Sequence, residues 1–335
     1  MQAFDATRLD WPMDWSAEFG RGAPLFLEIG FGNAEFLIDL AKRNLEADVV
    51  GVEISLPSIR KAEKKTVSNQ LTNLRVIHGD TRLALWGGMP LEKLDRVYIN
   101  FPDPWHKAAH HDRKLINPQF LHLLATRMRP GAMLEIATDD AGYQEHIEET
   151  LEATTFFKSP SDRTFETDDL ERMRTKYEMK ALAVGRECHY YHWVRNNVAA
   201  ENIFIHPQEL EMPHIIIETP LSLDQIGERY THYQSHSGDT PVRHLHMYRS
   251  TEMSGLKEYR PALMVETHIA EDPMPQRVAL TIQQRPDSRV IIGLHELGFP
   301  RPTGGTHLAA AHLARWLIGL DERNKLVHHN LSVDL

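Results

Sequence analysis

Five short apolar runs, each ended by glycine, proline or a polar residue, alternate with longer amphipathic segments through the first half of the chain. They are Leu25-Phe26-Leu27-Glu28-Ile29, Val49-Val50-Gly51-Val52-Glu53, Leu74-Arg75-Val76-Ile77, Val97-Tyr98-Ile99 and Met133-Leu134-Glu135-Ile136-Ala137. Runs of this length and composition read as strands buried on both faces. The intervening segments have helical spacing. Residues 33–43 place Phe36, Leu37, Leu40 and Ala41 on one face, and Pro57 opens a lysine-rich helix reaching about Asn69. Further helices are expected over 118–128 and 141–153, and a last strand over 187–195. Strands alternating with helices call for parallel pairing, with helices covering both faces of the sheet: an α/β fold.

A chain of 335 residues exceeds one ordinary core and suits two domains. Residues 160–176 are polar and charged and read as a surface excursion. After Ala199 the pattern changes. Val242, His244, His246 and Tyr248 alternate with their neighbours, Leu263, Val265 and Ile269 share one face, and so do Val278, Leu280 and Ile282. Closely spaced strands of this kind pair antiparallel, and a helix over about 306–320 covers them. The expected division is an N-terminal arm (1–22), an α/β domain (23–198) and a smaller C-terminal α+β domain (199–335). His244-x-His246 has the spacing of a two-histidine zinc arm, but no cysteine or carboxylate pattern completes it, so structural histidines and no metal are expected. Gly304-Gly305-Thr306 reads as a loop with a threonine cap.

The net charge of −10 and pI near 6.0 exclude indiscriminate nucleic-acid binding, though not a local basic groove. The C-terminal part is itself acidic, with 12 Lys+Arg against 17 Asp+Glu. A single cysteine, Cys188, excludes an intrachain disulfide framework and reads as a buried, inert thiol. Met1-Gln2-Ala3-Phe4-Asp5 lacks a basic start and an apolar core, and the apolar stretch 308–320 is broken by His312 and Arg315. A cytoplasmic protein without membrane contact is expected. Monomer and homodimer both stay open.

The polar residues that close the strands carry the chemistry. Gly30-Phe31-Gly32 lets the backbone turn tightly and approach a ligand. A third dinucleotide-type glycine is absent, since position 35 is Glu35. Glu28, just before the turn, suits an ammonium or sulfonium better than a diphosphate. Glu53 ends the second strand, where an acid grips ribose hydroxyls. Asp80 follows the third and can accept from an adenine amino group. Together these describe a pocket for S-adenosyl-L-methionine. Asn100-Phe101-Pro102-Asp103-Pro104-Trp105-His106-Lys107 follows the fourth strand, which the prolines prevent from continuing. Trp105 is a candidate for stacking on a base; Lys107, Arg113, Lys114, Arg127 and Arg129 are candidate phosphate contacts.

On Leu27-Glu28-Ile29-Gly30-Phe31-Gly32, Gly51-Val52-Glu53, Phe101-Pro102-Asp103-Pro104-Trp105-His106-Lys107, Ala137-Thr138-Asp139 and Thr175-Lys176-Tyr177-Glu178, the chain resembles the bacterial-type tRNA (guanine-N7)-methyltransferases over about residues 23–197. The resemblance implies a Rossmann-like S-adenosylmethionine-dependent methyltransferase sheet. It implies that Glu28, Gly30, Gly32, Glu53, Asp80 and Asp103 hold the methyl donor, with Asp103 the active-site acid. It implies that Lys107, Asp139, Thr175, Lys176, Tyr177 and Glu178 contact tRNA, and that the product is 7-methylguanine at position 46. The chain departs from the family at Ala109, where an arginine is usual, and at Tyr177, where a phenylalanine is. An amino methyltransferase on another substrate and a non-catalytic RNA-binding protein are the alternatives. A nicotinamide oxidoreductase is opposed by Glu28 and Glu35.

Overall fold

The apolar runs of the first half become the central strands of one eight-stranded sheet in the computed structural model, which describes residues 2–105, 114–161, 163–169, 172–204, 210–237, 240–250, 261–271, 274–297 and 300–335. The strands are β1 (Phe4–Asp5), β2 (Leu25–Ile29), β3 (Asp48–Glu53), β4 (Leu74–His78), β5 (Leu94–Asn100), β6 (Met128–Thr138), β7 (Phe157–Lys158) and β8 (His189–Arg195). The helices among them are α1 (Trp15–Phe19), α2 (Glu35–Arg43), α3 (Leu56–Ser68), α4 (Thr81–Leu83), α5 (Pro118–Arg127), α6 (Ala141–Ala153) and α7 (Lys176–Ala183). The sheet order is β1-β4-β3-β2-β5-β6-β8-β7. Pairing is parallel from β1 to β6, while β8 runs antiparallel to both β6 and β7.

Period-two alternation explains why the runs are apolar throughout. Phe26, Val49, Val76 and Tyr98 pack with Phe36, Leu37 and Leu40 of α2 and Ile59 of α3 in one core cluster. Leu27, Val50, Ile77, Val97 and Ile99 are buried as well, so the strands are covered on both faces. This is the expected α/β, Rossmann-like sheet. The chain lays down β2, β3 and β4 toward one edge and then returns past β2 to place β5. That reversal is the switch point beside which open α/β sheets hold ligands, outside the carboxyl ends of the strands.

Two parts of this unit differ from expectation. The segment expected as an arm, 1–22, carries an edge strand and a helix: β1 pairs with β4, and buried Trp15 donates its indole N–H to the Gly88 carbonyl at 3.0 Å. Its polar residues hide this signal, because an edge strand of two residues has no periodicity to read. The polar stretch 160–176 is only partly a surface excursion. Glu166 pairs with Tyr190 by backbone bonds in both directions, and Met173 packs against the core beside α2.

The chain divides into two compact units, Met1–His206 and Pro207–Leu335. The second contains a seven-stranded antiparallel sheet in the order β10-β11-β12-β13-β14-β9-β15. Its elements are β9 (His214–Glu218), α8 (Leu223–Glu228), β10 (Tyr233–Ser237), β11 (Thr240–Arg249), β12 (Ala262–Ile269), β13 (Gln276–Gln284), β14 (Arg289–Leu294), α9 (Gly304–Ile318) and β15 (Lys325–His329). Val242, Val265, Leu280, Ile282 and Ile292 pack with Leu308, Leu313 and Leu317 of α9 in its core. This is the smaller α+β part foreseen, with more strands than the three the sequence displayed.

Two local readings are corrected here. A β-bulge between His244 and Met247 shifts the register against β12. An extra residue in one strand reverses the alternation beyond it, so His244 is buried, His246 is exposed and Met247 packs toward the core. The two imidazoles do not share a face. Gly304 and Gly305 belong to α9 itself, capped by Thr303 in a capping box with Thr306. The carboxylate of Glu271 accepts from the Gly305 N–H at 3.0 Å and from the Thr303 hydroxyl, so the chain supplies its own anion to that helix end.

His244 gives this unit a pH dependence. Burial, and then the neighbouring His312, hold its imidazole down to about 3 from the usual 6.5, in the neutral form. A folded-state value below the unfolded one means that the unfolded chain takes up the proton first. Stability is then present above about pH 6.5 and is lost as pH falls toward 3. At roughly 1.36 kcal/mol per pH unit, the loss from this group reaches about 2 kcal/mol by pH 5. Thermal melts of the whole chain at pH 7 and pH 5 check this. His244→Leu should lose less stability than wild type between pH 7 and pH 5, whatever the other groups contribute, and an identical change in both proteins would acquit His244.

Candidate active site

A cleft of about 610 Å³ lies at the carboxyl ends of the central strands. It is lined by the glycine turn after β2, the ends of β3 and β4, and the loop after β5. Gly30 and Gly32 adopt φ of +71° and +51°, backbone that side chains with a Cβ resist, and no atom lies within 4 Å of where their Cβ would be. The turn is therefore bare toward the cleft.

Three acids converge there. Glu53 accepts from the Gly32 N–H at 2.9 Å through one oxygen, and from the Ile54 and Ser55 N–H at 2.8 and 2.9 Å through the other. It thereby fixes the turn after β2 to the turn after β3. Asp80 is exposed and caps α4, accepting from the N–H groups of Arg82 and Leu83 at 2.8 and 3.2 Å. Glu28 is different: its residue is 1% exposed. One oxygen accepts from the Asn100 amide at 2.9 Å, and the other, Oε2, is buried without a hydrogen-bond partner. Burial pushes its carboxyl up to about 8 from 4.5, against the opposing pull of the Asn100 hydrogen bond and the Arg172 charge, with Glu53 adding to the rise. A buried carboxyl with one free oxygen is an acceptor waiting for a donor or a cation.

The loop after β5 forms another wall. Phe101 and Trp105 take positive φ, +52° and +46°, on either side of Pro102-Asp103-Pro104. Such backbone costs about 1–3 kcal/mol per residue and persists where surroundings over-determine it. Asp103 is exposed at the cleft, and Trp105, Lys114 and Asn117 line it as well. The loop presents a carboxylate and an indole on a turn framed by two prolines.

Of the residues singled out in the sequence, Glu28, Gly30, Gly32, Glu53, Asp80, Asp103, Trp105, Lys114 and Thr175 line this one cleft. Thr175 caps α7 in a capping box with Glu178. Glu178 is buried; it accepts from the Thr175 N–H at 3.1 Å and the Tyr190 hydroxyl at 2.8 Å. The Thr-x-x-Glu spacing is thus the capping-box spacing, and Lys176 and Tyr177 open the helix between. Asp139 pairs with Arg186 at 2.9 Å and is not among the cleft-lining residues, whereas Asp140 caps α6. Lys107 and Ala109 fall outside the described residues, as does Arg113. Arg127 is no phosphate contact: it is 1% exposed and donates to the carbonyls of Leu85 and Trp86 at 2.9 and 3.1 Å. Arg129 is paired with Asp95.

The sequence reading quoted Asn100 without its role toward Glu28 and missed Arg172 altogether. Asn100 closes β5 and bonds Glu28, and Arg172 bonds Asn100. Asn100 heads the quoted run, and its place at a strand tip is the signal that points to its role. Arg172 lies in the polar stretch and carries no spacing signal.

Residues 22–191, half of the chain, match the family model described as "Putative methyltransferase". A tRNA (guanine-N(7)-)-methyltransferase of Thermotoga maritima is 38% identical over 53% of this chain and 56% of its own length, so the chain spans little more than half of that relative. One of Nitrosomonas europaea is 38% identical over 52% of this chain and 77% of its own length. The crystal structure of the 16S rRNA methyltransferase KamB is similar at 15% identity and a TM-score of 0.41, covering 58% of this chain and 100% of that one. By the family match and the identity shared with these relatives, the chain belongs to the bacterial-type tRNA (guanine-N7)-methyltransferase family.

Proposed function

We propose that this chain transfers a methyl group from S-adenosyl-L-methionine to N7 of guanine in tRNA, at position 46 of the variable loop. The observation that carries the donor assignment is Glu28 Oε2, a buried acceptor without a partner beside a bare glycine turn. That arrangement suits a ligand with a positive centre and repels a diphosphate. S-adenosyl-L-methionine, when bound, supplies an electrophilic methyl on a sulfonium. In this reading Glu28 holds the cationic end, Glu53 accepts from the ribose hydroxyls and Asp80 from the adenine amino group. The relatives' names support the acceptor. The machinery lies within residues 23–198, and the reading requires no metal.

Guanine N7 already carries an in-plane lone pair, so no proton must leave before attack. The protein's task is alignment, which alone is worth about 7–11 kcal/mol in well-oriented reactions, together with compensation for the positive charge that moves onto the purine. Asp103, exposed at the cleft on its proline-framed loop, faces that second task. Trp105 offers a face for the base; Thr175, Lys176, Tyr177, Asp139 and Lys107 form the proposed tRNA side, whereas Glu178, expected there too, is buried and holds Thr175 in place through the capping box.

The test is incubation with labelled methyl donor and unmodified tRNA. The expected product is 7-methylguanosine, detected as borohydride- and aniline-cleavable label at position 46. Label in 6-methyladenosine would point to an amino methyltransferase instead. Tight tRNA binding with no label at all would point to a non-catalytic RNA binder.

A further inference from the structure

The Glu28 carboxylate is half tied down by Asn100, and Asn100 is in turn tied by Arg172. Arg172 donates through Nη2 to the Asn100 amide oxygen, and the Asn100 amide nitrogen donates to Glu28 Oε1 at 2.9 Å. Guanidinium can only donate, so its bond forces the asparagine oxygen toward Arg172 and the NH₂ toward Glu28. Without Arg172 the amide is free to flip and accept through its oxygen from the protonated Glu28 carboxyl, an arrangement that favours the neutral acid. Arg172 is itself clamped. Its guanidinium carbon lies 4.9 Å from the Phe36 ring of α2 and 5.6 Å from the Tyr190 ring of β8, a cation between two aromatic faces. Tyr190 continues the chain of contacts by donating to Glu178, whose capping box holds Thr175 at the cleft.

We infer that Arg172 is a positioning residue for the methyl donor: by orienting the Asn100 amide it keeps one Glu28 oxygen occupied and the other presented, ionised, to the donor's positive centre. This rests on the donor pocket proposed above. The charged groups that bear on Glu28 are Arg172, which favours its ionised form, and Glu53, which opposes it. Losing Arg172 removes both the favourable charge and the amide orientation. Glu28 then gives up its proton less readily, and donor binding, which needs the carboxylate, moves to higher pH.

The experiment is calorimetric titration of the whole chain with S-adenosyl-L-methionine and with its demethylated product, from pH 6 to 9, for the wild type, Arg172→Met and Arg172→Lys. Methionine keeps the stem between Phe36 and Tyr190 without a donor, and lysine keeps the charge without the planar fork. The expected result is a weakening of about ten- to a hundredfold at pH 7 in Arg172→Met, the range for losing a charge-assisted hydrogen bond. The midpoint of the affinity–pH curve should rise, and Arg172→Lys should restore part of the midpoint shift. Weaker binding with an unmoved midpoint would make Arg172 merely structural and overturn the inference. So would unchanged affinity in either folded variant. A wild type that binds neither ligand would instead refute the donor pocket itself.

Discussion

Glu28→Gln is expected to weaken binding of the methyl donor by about a hundredfold at pH 8 while raising the melting temperature of the ligand-free protein at the same pH. Both effects follow from one buried carboxyl. Desolvation holds its folded-state value at about 8, against 4.5 when free. Between those values the native state keeps a proton that the unfolded chain has released. Stability therefore falls as pH rises through that window, and the loss is complete above about pH 8. At roughly 1.36 kcal/mol per unit, the window represents on the order of 5 kcal/mol that glutamine does not forfeit. Glutamine keeps the shape and can still accept from Asn100, so the gap in stability between variant and wild type should open from pH 5 to pH 8. A cationic donor reverses the sign. It favours the carboxylate and drives the proton off, so wild-type affinity should climb with pH until about 8, whereas the glutamine variant should be flat. A charge-assisted contact in a buried site is worth about 1.5–3 kcal/mol, which sets the expected loss. Melts and donor titrations over pH 5–9 check both halves. If Glu28→Gln melts lower at pH 8 and binds the donor as well as wild type, Glu28 is a structural acid and not the anchor of a cation.

How far the site was legible depended on what each residue leaves in the sequence. Glu28, Glu53 and Asp80 were readable because each lies at or near the end of an apolar run, and strand ends of a parallel sheet share one edge. The loop at 101–105 was readable because proline cannot continue a central strand. Other features leave no such mark. Arg172 stands in a polar stretch whose hydropathy resembles any solvated loop, yet its partners are aromatic faces and an amide inside the fold. Arg127 looked like a phosphate contact because charge is legible and burial is not; its guanidinium satisfies two carbonyls within the fold. Thr175-Lys176-Tyr177-Glu178 owes part of its pattern to helix capping, which the resemblance to RNA-contacting residues obscured. In the second unit the strands with clean alternation, β12 and β13, were found. The face of β11 was misjudged, because one bulged residue after His244 reverses everything beyond it.

Asp103→Ala should leave the protein folded and reduce turnover by roughly a hundred- to a thousandfold, the range seen when a single preorganised electrostatic group is removed from a transition state. Folding is indifferent because Asp103 is exposed, and the loop's course is set by Pro102, Pro104 and the positive-φ residues on either side. In the proposed reaction turnover is sensitive because N7 attack moves positive charge onto the purine, and a carboxylate at that point would gain attraction as the charge develops. Asp103→Asn separates this role from recognition of the guanine edge. Asparagine preserves the side-chain shape and one acceptor oxygen but not the charge. If charge is what matters, Asp103→Asn should fall nearly as far as alanine in kcat, with the KM for tRNA close to wild type, since the interaction strengthens only in the transition state. If Asp103 instead accepts hydrogen bonds from guanine N1 and N2, the loss should appear in KM and in discrimination against adenine. Single-turnover rates with unmodified tRNA and saturating donor distinguish the two. Wild-type rates in Asp103→Ala would remove this residue from the mechanism, and the alignment provided by Trp105 and the glycine turn would have to account for the chemistry unaided.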